Sequence, residues 1–280
     1  MKSLLQTRTR LVSLGLIVAL LLAGCGRAIE PPAPVYLRIA GSTSMQRLLN
    51  ALTTAYVAAH PQVTFDLQAG GSELGLDLLE MGQVEVAACS WPPTAEKLKP
   101  KNGAALKMTL VAQDGLAVVV HPSNPLDNLN ILQLRGLFQG RILDWRELGG
   151  RLGDVLVISR EDGSGSRAAF ESLVMDRRPV TLAAIVMPSS QDAIDYVGSH
   201  PLAIGYVSMG DLTSRVKALT VEGVEPTPQT VKEGSYPLIR PLLLVSAAQP
   251  APAVRDFLDF ASGPTGQDLI KDRYGTIRQG

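Results

Sequence analysis

The sequence has 280 residues, of which 46% are hydrophobic and 19% are charged, and its 26 basic residues balance 26 acidic ones. This composition is typical of a globular protein with enough apolar side chains for a core, and the length suits two lobes or one large domain. Nucleic-acid binding normally needs a basic stripe, and this chain shows none, so we predict no nucleic-acid partner.

The N-terminus predicts the compartment. Three basic residues and no acidic one stand among the first 24 positions, and all three precede an apolar run from Leu11 to Ala23. The run is too short to span a bilayer comfortably and ends in Leu-Ala-Gly-Cys, so residues 1–24 are interpreted as a bacterial lipoprotein signal peptide. Cys25 would then carry the lipid and hold the protein on the extracytoplasmic face of a membrane, in a periplasm or at a cell surface. An ordinary signal peptide with an incidental cysteine is the alternative.

The second cysteine, Cys89, ends an apolar run, which favours a buried structural thiol. With Cys25 acylated, the mature chain has no second thiol for a disulfide. Each of the three histidines stands directly before a proline, a pattern typical of loops and turns rather than of a catalytic set. We therefore predict no catalytic cysteine, no metal site and no cofactor.

Strand and helix patterns alternate after a proline-rich tether at residues 25–34. Polar and apolar residues alternate, or short apolar runs occur, in five predicted strands: 36–39, 63–67, 84–88, 116–120 and 155–159. Helical spacing follows several of them, as in the apolar residues of the segment 45–56, and a last helix is expected at about 253–260. A short buried strand is predicted at 203–207. This alternation predicts an α/β fold with mainly parallel sheets.

Three predicted strands end in loops rich in glycine and hydroxyl residues, namely Gly41–Ser44, Gly70–Ser72 and Gly163–Ser166. Each loop leads into a predicted helix, whose first backbone N–H groups have no partner within the helix and lie at the positive end of its dipole. Glycine allows a close approach, so such loops suit a small anion. For any one of these loops taken alone, ordinary helix capping is the better explanation. Three loops at the carboxyl ends of strands favour a shared ligand site.

Arg160 and Asp162 lie in the most specific stretch, Arg-Glu-Asp-Gly-Ser-Gly-Ser. A guanidinium can donate two parallel hydrogen bonds to an oxyanion. We expect Asp162 to hold that guanidinium in place and to balance its charge. The alternative is a surface ion pair at a helix start, which contributes little.

Catalytic motifs do not fit the sequence. The segment 163–166 lacks the Lys-Ser/Thr ending of a nucleotide P-loop, and the segment 70–75 lacks the spacing of a nucleophile elbow. Acidic residues are scattered, with no cluster that indicates paired-carboxylate catalysis. We therefore expect a binding protein and not an enzyme, with no catalytic residue to name.

Several segments together resemble the phosphate-binding subunit of bacterial phosphate ABC transporters, in the type II periplasmic-binding-protein superfamily. These segments span most of the mature chain. In the segment 160–166, Ser166 replaces the threonine of the family. The similar segments are IAGSTS at 39–44, LRGLFQGRILDWRELGG at 134–150, REDGSGS at 160–166, LAIGYVS at 202–208 and YPLIRPL at 236–242.

The resemblance implies an α/β fold of two lobes that close on a dehydrated anion through a hinge of two crossing segments. Lobe 1 would comprise residues 35–119 and 206–280, and lobe 2 residues 120–205, with the hinge near Val119–Val120 and Gly205–Tyr206. The implied phosphate-binding residues are Thr43, Ser44, Ser72, Ser90, Arg160, Ser164, Gly165 and Ser166. The implied partners are inorganic phosphate and the permease subunits of an ABC importer, with the protein expected as a monomer.

Ser90 departs from part of the family, in which an aspartate accepts a proton from phosphate. A hydroxyl can also accept, so phosphate remains the first expectation. An obligate acceptor is what would repel sulfate, so another tetrahedral oxyanion (sulfate, molybdate or phosphonate) stays open. A phosphatase-like or sensor lipoprotein of this fold, or one that has lost binding, is a further alternative.

Overall fold

The computed structural model describes residues 33–99, 105–151 and 153–277. Cys25, the predicted signal peptide and most of the predicted tether lie outside the described residues. The described residues from Val35 onward form one compact unit. Among the described residues, no helix has the length and hydropathy that crossing a membrane would require.

One curled sheet of nine strands runs through the described residues. Its strands are β1 Val35–Gly41, β2 Val63–Ala69, β3 Val86–Cys89, β4 Leu106–Val120, β6 Leu156–Arg160, β7 Ile185–Met187, β8 Ala203–Ser208, β9 Lys217–Ala218 and β11 Ile239–Ala247. They lie in the order β2-β1-β3-β11-β4-β8-β6-β7, with β9 beside β4. A small second sheet pairs β5 Asn128–Leu129 with β10 Thr220–Val221. Strands β1, β2 and β3 are mutually parallel, as are β6, β7 and β8, whereas β4 and β11 are antiparallel to their neighbours. The sheet is therefore mixed, and not mainly parallel as expected.

Eight α-helices of the described residues cover the sheet. They are α1 Gln46–Ala59, α2 Ser72–Glu80, α3 Ile131–Phe138, α4 Gly165–Leu173, α5 Ser190–Val197, α6 Pro228–Glu233, α7 Pro252–Ser262 and α8 Pro264–Ile270. Three short 3₁₀ helices accompany them, at Thr43–Met45, Trp145–Leu148 and Met209–Asp211. The helix expected at 253–260 corresponds to α7, but α8 follows it after one glycine, so α7 is not the last.

The long strand β4 is the element that joins the two ends of the sheet. Its first part pairs with β11, from Leu106 opposite Ala247 to Gly115 opposite Ile239. Its last part pairs with β8, from Leu116 opposite Ser208 to Val120 opposite Ile204. The sequence pattern predicted only the last five residues of this strand, because the residues before them are partly exposed and less apolar.

Two large buried clusters lie on either side of this change of partner. One is formed by side chains between Leu37 and Ala112 and between Leu242 and Tyr274, and the other by side chains between Leu116 and Leu238. The segment 206–238, which we assigned to lobe 1, therefore packs into the second core. The predicted hinge residues also lie inside that core, where Val119 is opposite Gly205 in the β4–β8 ladder. Strand β4 changes its partner elsewhere, near Gly115 and Ile239.

Candidate anion-binding site

The three hydroxyl-rich loops meet at one place, because each follows the carboxyl end of a strand in the same curled sheet. Gly41 ends β1 and leads to the 3₁₀ helix before α1, Gly70 and Gly71 join β2 to α2, and Gly163 lies between β6 and α4. The first turn needs glycine: a Cβ at Gly41, where φ is 143°, would lie 2.2 Å from the carbonyl oxygen of Ala88. This close approach places the first loop against the end of β3.

Four serine hydroxyls form a buried cluster where the loops meet. Ser42 Oγ lies 3.0 Å from Ser44 Oγ and 2.8 Å from Ser90 Oγ. The backbone N–H of Ser90 donates to Ser72 Oγ at 3.3 Å. All four side chains are buried, and that of Ser90 is fully so. Ser42, which sequence reasoning passed over within the first loop, connects two of the predicted ligand residues.

The third loop packs directly against this cluster. A Cβ at Gly165 would lie 2.4 Å from Ser72 Oγ and 2.5 Å from Ser90 Oγ, so only glycine fits. The backbone N–H of Glu73 donates to the carbonyl oxygen of Gly163 at 3.3 Å. Loops from both ends of the sheet are thus in contact, which is the arrangement expected for a closed cleft.

Helix capping, the alternative explanation of these loops, applies to the third loop but not to the first two. No side chain caps the 3₁₀ helix at Thr43–Met45 or the helices α1 and α2, so the hydroxyls of the first two loops are not used in this way. Ser164 does cap α4, since its Oγ accepts from the backbone N–H of Arg167 at 3.4 Å. Its hydroxyl hydrogen is still available to a ligand.

Arg160 ends β6 and is buried, with 1% of its side chain exposed. Nη2 donates to Thr43 Oγ1 at 2.8 Å, which joins the third loop to the first. Further hydrogen bonds go to the carbonyl oxygens of Met187 and Pro188 and to Ser190 Oγ. The guanidinium is therefore fixed beside the first loop by groups from several elements.

The carboxylate that holds Arg160 is Glu161 and not Asp162. Glu161 accepts from Nη2 at 2.8 Å and from Nε at 3.0 Å, a two-pronged pair. The side chain of Asp162 is 96% exposed and pairs with Arg167 at 2.7 Å. The expectation for Asp162 is thus wrong, because the turn at Asp162-Gly163 directs that carboxylate outward.

Arg240 is the residue of the site that sequence reasoning missed, although it lies in one of the similar segments. It stands in β11 directly opposite Asp114 of β4, and the two side chains are 0% exposed. Asp114 Oδ2 accepts from Nε at 2.9 Å and lies 2.8 Å from Nη2. Nη1 donates to Ser166 Oγ at 2.7 Å, and Nη2 donates to Ser44 Oγ at 3.2 Å. An arginine inside an apolar strand was the available signal, because such a charge needs a buried partner.

Burial raises the pKa of Asp114, while the adjacent Arg240 guanidinium opposes the rise. Both arginines of the site thus have a carboxylate partner. The described residues around the cleft offer mainly hydroxyl and N–H donors, and no group of three or more His, Cys, Asp or Glu side chains that could hold a metal is found among them. Such a donor set suits a small multivalent oxyanion.

A profile of the PBP superfamily domain matches residues 28–264 of the chain. The chain belongs to this family. The phosphate-binding protein PstS of Bacillus subtilis strain 168 is 30% identical over 249 residues, which are 89% of this chain and 82% of that protein. The PstS protein of Borreliella burgdorferi is 26% identical over 84% of this chain and 87% of its own length.

Solved structures of the PBP family superpose well on the chain. A structure from Clostridium perfringens, described as a phosphate ABC transporter substrate-binding protein with bound phosphate, has a TM-score of 0.81 at 30% identity, over 87% of this chain and 100% of that one. An ABC-type phosphate transport receptor from Vibrio cholerae has a TM-score of 0.71 at 31% identity, over 86% and 100%. The expected α/β type II periplasmic-binding-protein fold is thereby confirmed.

Proposed function

We propose that this PBP family member captures inorganic phosphate outside the cytoplasm and delivers it to an ABC importer. One observation supports the proposal: hydroxyls of the first and third loops lie beside two buried guanidiniums, since Arg160 contacts Thr43 and Arg240 contacts both Ser44 and Ser166. The relatives named above as phosphate-binding proteins and transport receptors support the choice of phosphate and importer.

Binding would couple to closure of the cleft. Thr43, Ser44, Ser72 and Ser90 lie at one end of the sheet, and the loop 163–166 lies at the other, so an anion contacts all of them only when the loops approach. Binding energy therefore shifts the protein towards the closed form. We propose that the lobes are 35–112 with 242–277 and 116–238, in agreement with the two buried clusters. No chemical step is needed, and we propose no catalytic residue.

The remaining parts of the proposal concern anchoring and assembly. We propose that Cys25 carries the lipid, that the mature chain is a monomer, and that permease subunits of the importer receive the closed form. Replacing Cys25 with serine should move the protein from the membrane fraction to the soluble extracytoplasmic fraction. Persistence in the membrane fraction would contradict the anchor without affecting the ligand proposal.

Equilibrium binding of radiolabelled phosphate tests the ligand site. Arg160→Ala should weaken binding at least about tenfold, since a charge-assisted hydrogen-bond donor is lost from a buried site. Arg146→Ala is the matched control, because Arg146 is 63% exposed and forms its ion pair with Asp144, two residues away. Equal affinity of the two variants would overturn the site. A rise in melting temperature when phosphate is added to the wild type provides an independent check.

Another tetrahedral oxyanion is the second candidate ligand, and one observation favours it. The position that could reject a fully ionised anion is Ser90, which is fully buried and carries a hydroxyl instead of a carboxylate. Competition calorimetry with sulfate and molybdate against phosphate separates the two. A tighter competitor than phosphate would replace phosphate as the proposed ligand and leave the site unchanged.

A further inference from the structure

The guanidinium of Arg240 touches two hydroxyls that come from different loops. Nη1 donates to Ser166 Oγ and Nη2 donates to Ser44 Oγ, at 2.7 Å and 3.2 Å. Ser44 belongs to the first loop and Ser166 to the third, and both side chains are buried. The side chain of Arg240 thus contacts both the first and the third loop of the site.

These contacts determine what the two hydroxyls can do. A hydroxyl has one hydrogen and two acceptor lone pairs, whereas a guanidinium only donates. Because Ser44 and Ser166 each accept from Arg240, their own hydrogens must point away from it. Ser44 can then donate to a ligand or to Ser42 Oγ at 3.0 Å, and Ser166 has no other side-chain acceptor among the described contacts. Each hydroxyl can therefore donate its hydrogen to a ligand while it accepts from Arg240.

Asp114 keeps the guanidinium in this orientation. Its Oδ2 engages Nε and Nη2 at 2.9 Å and 2.8 Å, and it stands directly opposite Arg240 in the β4–β11 ladder. The two strands are paired over nine positions, so the pair rests on a rigid part of the sheet. Charge-assisted contacts of this kind also restrict geometry, which is what a preorganised site requires.

We propose that Arg240, held by Asp114, is a positioning residue that fixes Ser44 and Ser166 as hydrogen-bond donors to the bound oxyanion. The inference rests on the proposed function, because it assigns a role within the same site. It adds a specific reason why the two hydroxyls point toward the anion. Because Arg240 acts through the two serines, its effect on anion affinity should disappear when they are absent.

A thermodynamic cycle with phosphate as the probe tests this coupling. The variants of the full chain are Ser166→Ala, the neutral pair Asp114→Asn with Arg240→Gln, and all three changes together. Ser166→Ala alone and the neutral pair alone should each weaken binding about tenfold. Adding Ser166→Ala to the neutral pair should weaken it by less than about threefold, because the hydroxyl has already lost its fixed direction.

Thr43→Val is the matched control for the cycle. Its hydroxyl accepts from Arg160 at 2.8 Å and not from Arg240. The fold-loss of phosphate affinity caused by Thr43→Val should therefore multiply with the fold-loss caused by the neutral pair. Full multiplication for Ser166→Ala as well, or wild-type affinity of the neutral pair, would overturn the inference while the binding site stands. Failure of the wild type to bind phosphate would instead overturn the proposed function and this inference with it.

Arg240→Lys keeps the test decisive if the neutral pair does not fold. Lysine retains the charge opposite Asp114 but has a single ammonium, so it cannot direct two hydroxyls as a planar guanidinium does. We expect at least about tenfold weaker phosphate binding with an unchanged circular dichroism spectrum. Wild-type affinity in this variant would overturn the inference.

Discussion

Both carboxylate oxygens of Glu161 accept hydrogen bonds from the guanidinium of Arg160, at 2.8 Å from Nη2 and 3.0 Å from Nε, while the adjacent Asp162 faces solvent. A negative charge thus lies next to the residue that we assign to the anion. Glu161 orients the arginine, but it also opposes the charge of any anion bound there. The balance of these two effects can be measured, because Asp162 provides a control one residue away.

We expect Glu161→Gln to tighten phosphate binding by roughly threefold to tenfold at low ionic strength. Arg160 keeps its contacts to the carbonyl oxygens of Met187 and Pro188, so removal of a nearby negative charge outweighs the lost orientation. The gain should shrink as salt is added, since Glu161 is 27% exposed and partly screened. Asp162→Asn should change affinity less than about twofold. Calorimetric titrations at two salt concentrations make the comparison, and weaker binding by Glu161→Gln would show that orientation dominates.

Gly165→Ala should block ligand capture while leaving the fold intact. Its Cβ would meet Ser72 Oγ at 2.4 Å and Ser90 Oγ at 2.5 Å, two buried atoms with little room to move. Gly165 is the first residue of α4, where alanine is otherwise favourable for a helix. We expect at least about a hundredfold loss of phosphate affinity, with an unchanged circular dichroism spectrum, because the clash lies where two loops meet and not in a hydrophobic core. Retained affinity would mean that the loops do not need this close contact for binding.

Ser90→Asp should sharpen the choice between phosphate and sulfate. A carboxylate at this fully buried position can accept a proton from a protonated phosphate oxygen, but sulfate has none to donate. We therefore expect sulfate competition to vanish while phosphate still binds. Ser90→Asn is the control, since its amide has nearly the same size and no charge. Equal sulfate binding by the two variants would show that this position does not face the ligand.

The loops could be found from the sequence, but the partners of the charged residues next to them could not. Gly41–Ser44 and Gly163–Ser166 are local patterns, and the physics of a helix start gives them meaning without any knowledge of neighbours. Arg240 gains its role from Asp114, which is 126 residues away in sequence, through a strand register that no local pattern determines. The prediction that Asp162, rather than Glu161, holds Arg160 failed for a similar reason. The sequence does not show which of two adjacent carboxylates the turn directs toward the guanidinium.

The core into which the segment 206–238 packs was also beyond a local reading. The segment begins within the buried strand β8 and was assigned by resemblance, yet its apolar side chains, such as Tyr206 and Leu238, pack with residues that precede it. Which of two cores receives a segment depends on pairing between distant strands. Periodicity gives the buried face of each element, but not the partner that buries it.

Asp211→Asn should stabilise the protein near neutral pH and remove part of its pH dependence. Burial and, to a lesser degree, the nearby Asp114 raise the pKa of Asp211 to about 6, while Arg47 opposes the rise. A carboxyl with a raised pKa in the folded state favours folding at low pH, and this contribution is lost as the pH rises from about 4 to about 6. The loss is on the order of 2–3 kcal/mol in the wild type and absent in the variant.

Urea unfolding at several pH values checks this expectation as the difference between wild type and Asp211→Asn. Taking the difference cancels the carboxylates that both proteins share. Arg47 is 42% exposed and lies 3.4 Å from Asp211, so loss of this ion pair costs little. A difference that is constant between about pH 4 and about pH 7 would contradict the raised pKa.

Cys89 should react with thiol reagents only when the cleft side of the sheet opens. Burial raises the pKa of its thiol to about 12, and the side chain is fully buried with Sγ 4.0 Å from the carbonyl oxygen of Ser72. At about pH 8 the thiolate fraction is then roughly a thousandfold below that of an ordinary cysteine. Alkylation in the Cys25→Ser variant should therefore be slow in the native state and rapid in denaturant. Phosphate should slow it further, because a ligand that binds only the native state suppresses opening. Rapid alkylation that phosphate does not change would place Cys89 at the surface and separate it from the site.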